Sequence, residues 1–391
     1  MENRIDRNVI YPKLKTDRRN QINSCIEQIA AHLDKKGSRI IQQSFFIYAP
    51  TNEVYLEFYD QIFDQVKSKF NPVPSTSVIA QAPADGFLIS VELISVSGLC
   101  RETQINYKEE SGIYYTILSS RENKELYAGG ITGKKLFDPF SEQVEEAYKL
   151  LEAILQREGM DFANIARQWN YVENILSIHD IGTEHIQNYQ LLNDVRSRYY
   201  SKSQFRNGYP SATGIGMNSG GLVLEVYAIA LGKDNRIVPL KNPKQVDAYH
   251  YSNDVLIGDS LEKDHKKTTP KFERAKYVDL NGVRTVYISG TASVQNEVTL
   301  GVNDVEKQTW VTIENIANLI NGENIRKAGI NHIQGAPQYS FIRVYVKSKD
   351  DYEKVRKICD KYYGAVPLHY LIADVCRDNL LLEIEGVALI S

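Results

Sequence analysis

The sequence predicts an α/β chain of the α+β kind, in which three copies of one sheet-and-helix unit follow one another and the first copy is truncated. Two observations predict it. An element order of helix, strand, helix, strand, strand, read from hydrophobic periodicity, recurs three times along the chain. The landmarks inside it also keep their spacing. Asn52 to Asn188 and Pro74 to Pro210 are each 136 residues apart, Gly86 to Gly221 are 135, and Glu225 to Glu383 are 158. Offsets that hold steady across a copy are hard to obtain by chance.

In the first copy, Ile22, Cys25, Ile26, Ile29, Ala30 and Leu33 stand at helical spacing, and Gly37 follows as a C-terminal cap. A strand is expected from Ile40 to Tyr48, a helix from Asn52 to Phe70, a break at Pro72 to Pro74, and strands at Ser77 to Gln81 and Phe87 to Val96. This copy shows no opening strand or Gly turn, so it reads as truncated. The second opens at Tyr127 with Gly129-Gly130, then places Val144, Ala147, Tyr148, Leu151, Ile154 and Leu155 on one helix face. A strand at Trp169 to Val172, a helix at Asn188 to Lys202 and strands at Thr213 to Met217 and Leu222 to Leu231 complete it. The third opens at Tyr287-Ile288-Ser289-Gly290 and ends in the strand Glu383 to Ile390. Domain limits are expected at 1–102, 103–240 and 241–391. Gly232 to Asn281, with the charged run 262–267, reads as an inserted, solvated loop.

A chain of 391 residues suits two or three compact units. A net charge of −3 and a pI near 6.2 give no basic footprint for nucleic acid and leave room for a small anionic ligand. Cys25, Cys100, Cys359 and Cys376 are far apart, against a disulfide framework or a zinc site, and fit a reducing cytoplasm. The seven histidines include no i, i+4 pair, so neither metal nor another cofactor is called for. Met1 to Arg7 carries no apolar signal segment and no run of about 18 apolar residues occurs, so neither export nor a membrane span is expected.

The chemistry centres on the last strand. Leu380, Leu381 and Leu382 lead into Glu383, with Ile384 and Val387 beyond, so a buried strand delivers a carboxylate. Such a group is either satisfied by backbone donors or is an acid held protonated near neutrality by an apolar pocket. Glu385 shares its face but lies farther along, and is assigned a structural role. Thr213-Gly214-Ile215-Gly216 offers a hydroxyl and approachable N–H groups to an anion, or else marks a strand bulge. Trp169 and Trp310 are left to the core.

The repeating unit resembles the RidA/YjgF family, best in the third copy from Tyr287-Ile288-Ser289-Gly290 to Glu385-Gly386-Val387-Ala388. The resemblance implies trimers with ligand clefts between subunits, so three units in one chain imply a covalent pseudo-trimer that is a monomer in solution. Residues 125–391 resemble more closely the chorismatases of the FkbO type. The motifs are Gln168-Trp169-Asn170-Tyr171-Val172, the stretch from Gly208 to Met217, the stretch from Asn242 to Tyr251, Ser289-Gly290-Thr291-Ala292-Ser293, and Cys376 to Glu385. That resemblance implies chorismate as substrate, pyruvate as one product, and Glu383 as the general acid that protonates the enol ether. Cys376, seven residues before it, goes with 3-hydroxybenzoate as the second product; a dihydroxycyclohexadiene carboxylate is the alternative. Arg198 and Arg343 would meet the substrate carboxylates, Tyr171, Tyr209 and Tyr249 would line the ring pocket or pack in the core, and Gly290 and Ala292 would keep its floor small. A RidA-type imine deaminase and a non-catalytic binding pseudo-trimer are the rivals. The deaminases carry a carboxylate-gripping Arg two residues after a Pro, where this chain has Thr76, Ala212 and His369.

Overall fold

The computed structural model describes residues 4–99, 102–133, 135–181, 184–233, 235–259, 267–333 and 335–391; Cys100 and most of the charged run, 262–266, lie outside them. The chain runs β1 (Arg4–Ile10), α1 (Arg18–Lys36), β2 (Arg39–Ile47), α2 (Asn52–Lys69), β3 (Ser75–Ile79), the two-residue β4 (Ala82–Pro83) and β5 (Ile89–Ser97). Helix α1 starts where the Asp17 carboxylate accepts the Asn20 N–H, and stops at Gly37, whose φ of +58° a side chain would strain. Next come β6 (Gln104–Glu110), β7 (Ile113–Ser119), β8 (Lys124–Ile131), α3 (Phe140–Arg157), β9 (Ile165–Glu173), the hairpin β10 (Ile178–Ile181) and β11 (Glu184–Gln187), α4 (Asn188–Tyr200), β12 (Ser211–Met217) and β13 (Leu222–Ala230). The last third holds β14 (Arg236–Leu240), β15 (Ala275–Leu280), β16 (Val283–Thr291), the short β17 (Val294–Gln295) and β18 (Val298–Thr299), α5 (Val305–Ile320), α6 (Gly322–Lys327), β19 (Gln338–Val346), α7 (Tyr352–Tyr363), β20 (Leu368–Ile372) and β21 (Leu382–Ile390).

Three mixed sheets result, ordered β1-β5-β2-β3, β12-β9-β13-β8-β7-β6 and β14-β15-β16-β21-β19-β20-β4. Each has two long helices on one face, which is the α+β architecture the repeats imply. Their other faces meet one another in a shared cluster that includes Ile41, Tyr127, Tyr227, Tyr287, Phe341 and Val387. The first sheet is covered on both sides, and β2 is buried at eight of its nine positions, the polar Gln42, Gln43 and Ser44 among them. No helix among the described residues is long and apolar enough to cross a membrane.

Two expectations change. The first unit does possess an opening strand, β1, paired antiparallel with β5; its Arg4-Ile5-Asp6-Arg7-Asn8 start is too polar to read as one because it is a sheet edge. The inserted segment is not simply a solvated loop. It supplies β14 and β15 to the third sheet, and the residues between them wall a cavity.

Register fixes which residues are equivalent. Thr291 faces Ile384 as Ile131 faces Leu224, and Tyr345 faces Glu383 as Tyr171 faces Val223 and Phe46 faces Ser90. One step further, Arg343 faces Glu385, Trp169 faces Glu225 and Ser44 faces Glu92. Glu92, Glu225 and Glu385 are therefore the threefold set, and Glu225 is not the counterpart of Glu383 that the 158-residue offset suggested. The positions matching Glu383 hold Ser90 and Val223.

Arg343 ties the three units together. Its Nε donates to Glu92 Oε1 at 2.6 Å and a second bond joins Nη2 to Glu92 Oε2; Nη1 donates to the Tyr171 hydroxyl at 2.9 Å, the Tyr345 hydroxyl at 2.9 Å and Glu385 Oε1 at 2.7 Å. Burial alone would push Glu92 up, but Arg343 and His369 hold its carboxyl down to about 2. Replacing Arg343 with Met leaves two buried carboxylates short of a partner, which costs about 3–5 kcal/mol. A urea titration at pH 7 should show that loss, and the gap to wild type should narrow as pH falls from about 5 toward 2, because protonated Glu92 no longer draws on the guanidinium. An unchanged midpoint would sink the assignment.

Candidate active site

Strand alternation decides what reaches the cleft between the second and third sheets. On β12, Ala212 and Gly214 face a cavity, while Thr213 and Ile215 point away from it; on β16 and just after, Gly290 and Ala292 face it. Glu383, at the start of β21, forms part of the lining, and Cys376 and Arg377 reach it from the preceding loop. Space for the acid is made by Gly290: a Cβ there would stand 1.8 Å from Glu383 Oε1. Gly214 gives Tyr189 similar room, since its Cβ would lie 2.7 Å from the ring.

Glu383 is 5% exposed. Burial and then the negative charge of Glu385 raise its pKa to about 8, against the opposing pull of Arg167 and Arg274. A carboxylic acid that still carries its proton at neutral pH is thus held at the cavity wall. Burial, and secondarily Glu383, pushes the Cys376 thiol up to about 12, so it stays a neutral S–H group and not a thiolate.

The cationic partners are not those expected. Arg198 lies on the outer face of α4, more than half exposed, and pairs with Glu145 at 3.0 Å. Arg343 is spent on the axis as described. The cavity instead has Arg274 and Arg377. Arg274 is 4% exposed, donates to the Val246 carbonyl and to the Tyr251 hydroxyl, and keeps a buried Nε without a partner. Arg377 donates to the Glu297 carbonyl at 2.8 Å and lies over the Tyr251 ring, 5.3 Å from its centroid. Both therefore have donor capacity for an anion.

The three expected tyrosines are also elsewhere. Tyr171 is fully buried at the axis, where its hydroxyl donates to Glu225 Oε2 at 3.1 Å. Tyr209 and Tyr249 pack on each other with centroids 5.4 Å apart, behind the cavity, and the Tyr249 hydroxyl donates to Asp247 at 3.1 Å. Tyr189 and Tyr251 line the cavity in their place. Thr213 has already given its hydroxyl proton to Glu385, so it is not free to grip a substrate anion. Of the expected residues, Glu383, Cys376, Gly214, Gly290 and Ala292 come together; Ile215, Thr213, Tyr171, Tyr209, Tyr249, Arg198 and Arg343 do not line the cavity. Trp310, left to the core, is 41% exposed on α5.

Comparison with known proteins places these features in a family. A family model described as the N-terminal part of FkbO/Hyg5-like chorismatases matches residues 98–230. A 3-hydroxybenzoate synthase of Streptomyces hygroscopicus is 33% identical over 259 residues, 64% of this chain and 70% of that protein. A chorismatase of Streptomyces rapamycinicus is 28% identical over 233 residues, 58% of this chain and 65% of that protein. The crystal structure of a chorismatase matches the fold over 99% of this chain and 98% of its own, with a TM-score of 0.69 at 20% identity.

A buried acid with a raised pKa destabilises the fold once it must ionise. The folded chain keeps a proton that the unfolded chain releases near 4.5, so wild-type stability falls as pH rises from about 4.5 through 8. Glu383→Gln removes that liability. Calorimetry should find the variant's Tm advantage growing between pH 5 and pH 8.5; a difference independent of pH would contradict a protonated Glu383.

Proposed function

The chain belongs to the FkbO/Hyg5-like chorismatase family, and from that membership we propose that it cleaves the enolpyruvyl ether of chorismate to pyruvate and 3-hydroxybenzoate, with Glu383 as the general acid. The observation that carries the reading is a neutral carboxyl group, about 8 in pKa, facing a cavity that also holds two guanidinium groups with donors to spare. Chorismate is a dianion whose enol ether methylene accepts a proton. Arg274 and Arg377 fit its two carboxylates, and Tyr189 and Tyr251 supply faces for its ring. Glu383 delivers the proton to the methylene, leaving an oxocarbenium ion beside the ether oxygen. The neighbouring ring hydroxyl captures that ion, giving up its proton, to form a cyclic ketal. Cleavage of that hydroxyl's bond to the ring and of the ketal bond to the ether oxygen releases pyruvate and leaves the ether oxygen on the ring. Loss of the adjacent ring proton then aromatises the ring with no net uptake of water. The ionised Glu383 left behind is stabilised by Arg167 and Arg274.

Cys376, neutral and beside the acid, bears on the second product. A water in its place would capture the cation and leave the dihydroxycyclohexadiene carboxylate. The Ala212 position weighs against imine deamination, because a small apolar side chain lines the cavity where that chemistry has a carboxylate-gripping arginine. We also infer that the three units, within limits near 1–102, 103–240 and 241–391, act as one monomer; light scattering at 44.5 kDa would support this and three times that mass would refute it.

The purified chain incubated with chorismate, with pyruvate followed by a coupled dehydrogenase and the acids separated by chromatography, tests the reading. Wild type should give pyruvate and 3-hydroxybenzoate in equal amounts, and Glu383→Gln should lose on the order of 10²–10⁴-fold in kcat. Retention of more than about a tenth of the wild-type rate would show that another group protonates the methylene. Cys376→Ala opens space for one water and should shift product toward the diene diol with pyruvate release little changed. In ¹⁸O water the 3-hydroxybenzoate of wild type should carry no label in its ring oxygen; label there would refute capture by the ring.

A further inference from the structure

This inference rests on Glu383 being the acid. Glu385 stands two residues beyond it on the same face of β21, roughly 7 Å along the strand. Its carboxylate is fully engaged. It accepts from Arg167 Nη2 at 2.7 Å, Trp169 Nε1 at 2.7 Å and Arg343 Nη1 at 2.7 Å, and from the Thr213 hydroxyl. Two guanidinium groups and two further donors thus occupy both of its oxygens.

Thr213 extends the reach of this carboxylate. Having donated its proton to Glu385, its oxygen accepts the Gly290 N–H at 2.9 Å and Arg167 Nη2 at 2.5 Å, which uses both lone pairs. Gly290 is in turn the residue against which the Glu383 carboxyl rests. A continuous line of contacts thus runs from Glu385 on β21, through Thr213 on β12 and Gly290 on β16, back to Glu383.

We propose that Glu385 is a positioning residue for the proton transfer: its carboxylate, two residues away on the same strand face, works together with burial against a second negative charge at Glu383, and its bond to Thr213 sets the surface on which the Glu383 carboxyl lies. The other charged or titratable groups around Glu383 are Arg167 on β9, Arg274 before β15, Tyr189 on α4, Tyr251, and Cys376 and Arg377 before β21. The guanidinium groups favour the ionised acid, so Glu385 is the one among the described residues here that opposes it. The equivalent Glu92 and Glu225 brace the axis, but their neighbours two positions back are Ser90 and Val223, which carry no acid to act on.

The test is the pH dependence of kcat for chorismate cleavage. Glu385→Gln should move the alkaline limb, where the acid loses its proton, down by about one pH unit, so that kcat falls about fivefold at pH 8 and about tenfold at pH 9, and recovers toward wild type near pH 6. Thr213→Val keeps the charge but cuts the link; it should lower kcat about tenfold across the range with KM and the limb in place, and Thr213→Ser should restore it. A Glu385→Gln variant that loses thermal stability while its limb stays put would overturn the electrostatic half, and wild-type kcat in Thr213→Val would overturn the positional half. Should the amide variant not fold, the Thr213 pair decides the positional half and Glu385→Asp, which draws the charge back from Glu383, decides the electrostatic half: its limb should move down by less than one pH unit, and an unmoved limb would overturn that half. Full activity in Glu383→Gln, by contrast, would refute the acid assignment beneath the proposal.

Discussion

The arrangement of the whole molecule depends on one guanidinium group meeting carboxylates from two units and phenols from two. Arg343 reaches Glu92 of the first sheet, Tyr171 of the second, and Tyr345 and Glu385 of its own. It is 3% exposed, so its desolvation is severe; the bonds to Glu92 and Glu385 reverse that penalty and leave the cation more firmly protonated than in water. Such a clamp tolerates little displacement. It fixes the register in which the three sheets face each other, and therefore the width of the clefts between them.

That clamp also breaks the symmetry it closes. At the matching position on the other two units stand Trp169 and Ser44, which donate to Glu385 and Glu225, so the three carboxylates differ in surroundings: Glu225 accepts from Ser44 at 2.5 Å and from Tyr171, whereas Glu92 takes His369 Nδ1 at 2.6 Å besides Arg343. His369 is wholly buried and its other nitrogen meets Ser90, so side chains fill the cleft there. Between the second and third units, by contrast, a small floor of Ala212, Gly214, Gly290 and Ala292 leaves space beside Glu383.

Much of this was legible in the sequence. Repeats, caps and turns are local, so the element order and the α+β class followed from periodicity, and Glu383 stood out because a carboxylate after three leucines is costly unless it is used. Glycine and alanine at 290 and 292 were legible for the same reason of space. What failed was whatever depends on contacts between units. Arg343 and Arg198 look alike in sequence, yet one is spent at the axis and the other on a surface pair. Arg377 lies beside Cys376 in the stretch that carries the acid, where a lone arginine reads as a solvated surface cation, and Arg274 is hidden because the segment around it reads as an insertion. Thr213 and Ile215 were assigned with Gly214, although period-two alternation on β12 could have separated them. The mistaken equivalence of Glu225 with Glu383 had the same origin, since an offset cannot tell one glutamate from another two positions away.

The two glutamates of β21 show how a single strand gives two carboxyl groups opposite surroundings. Both are buried, at 5% and 3% exposure, so desolvation does not separate them. Donors do. Glu385 takes two arginines, an indole and a hydroxyl, which is as much as its four lone-pair sites can hold. Glu383 meets the Cα of Gly290 and the open cavity, with the nearest negative charge on its own strand face, and there the proton is stable. Environments that drive neighbouring carboxyl groups apart are what make one of them an acid at neutral pH. The strand supplies the pair, the axis supplies the arginines, and the cleft takes only the carboxyl group that the axis leaves uncharged.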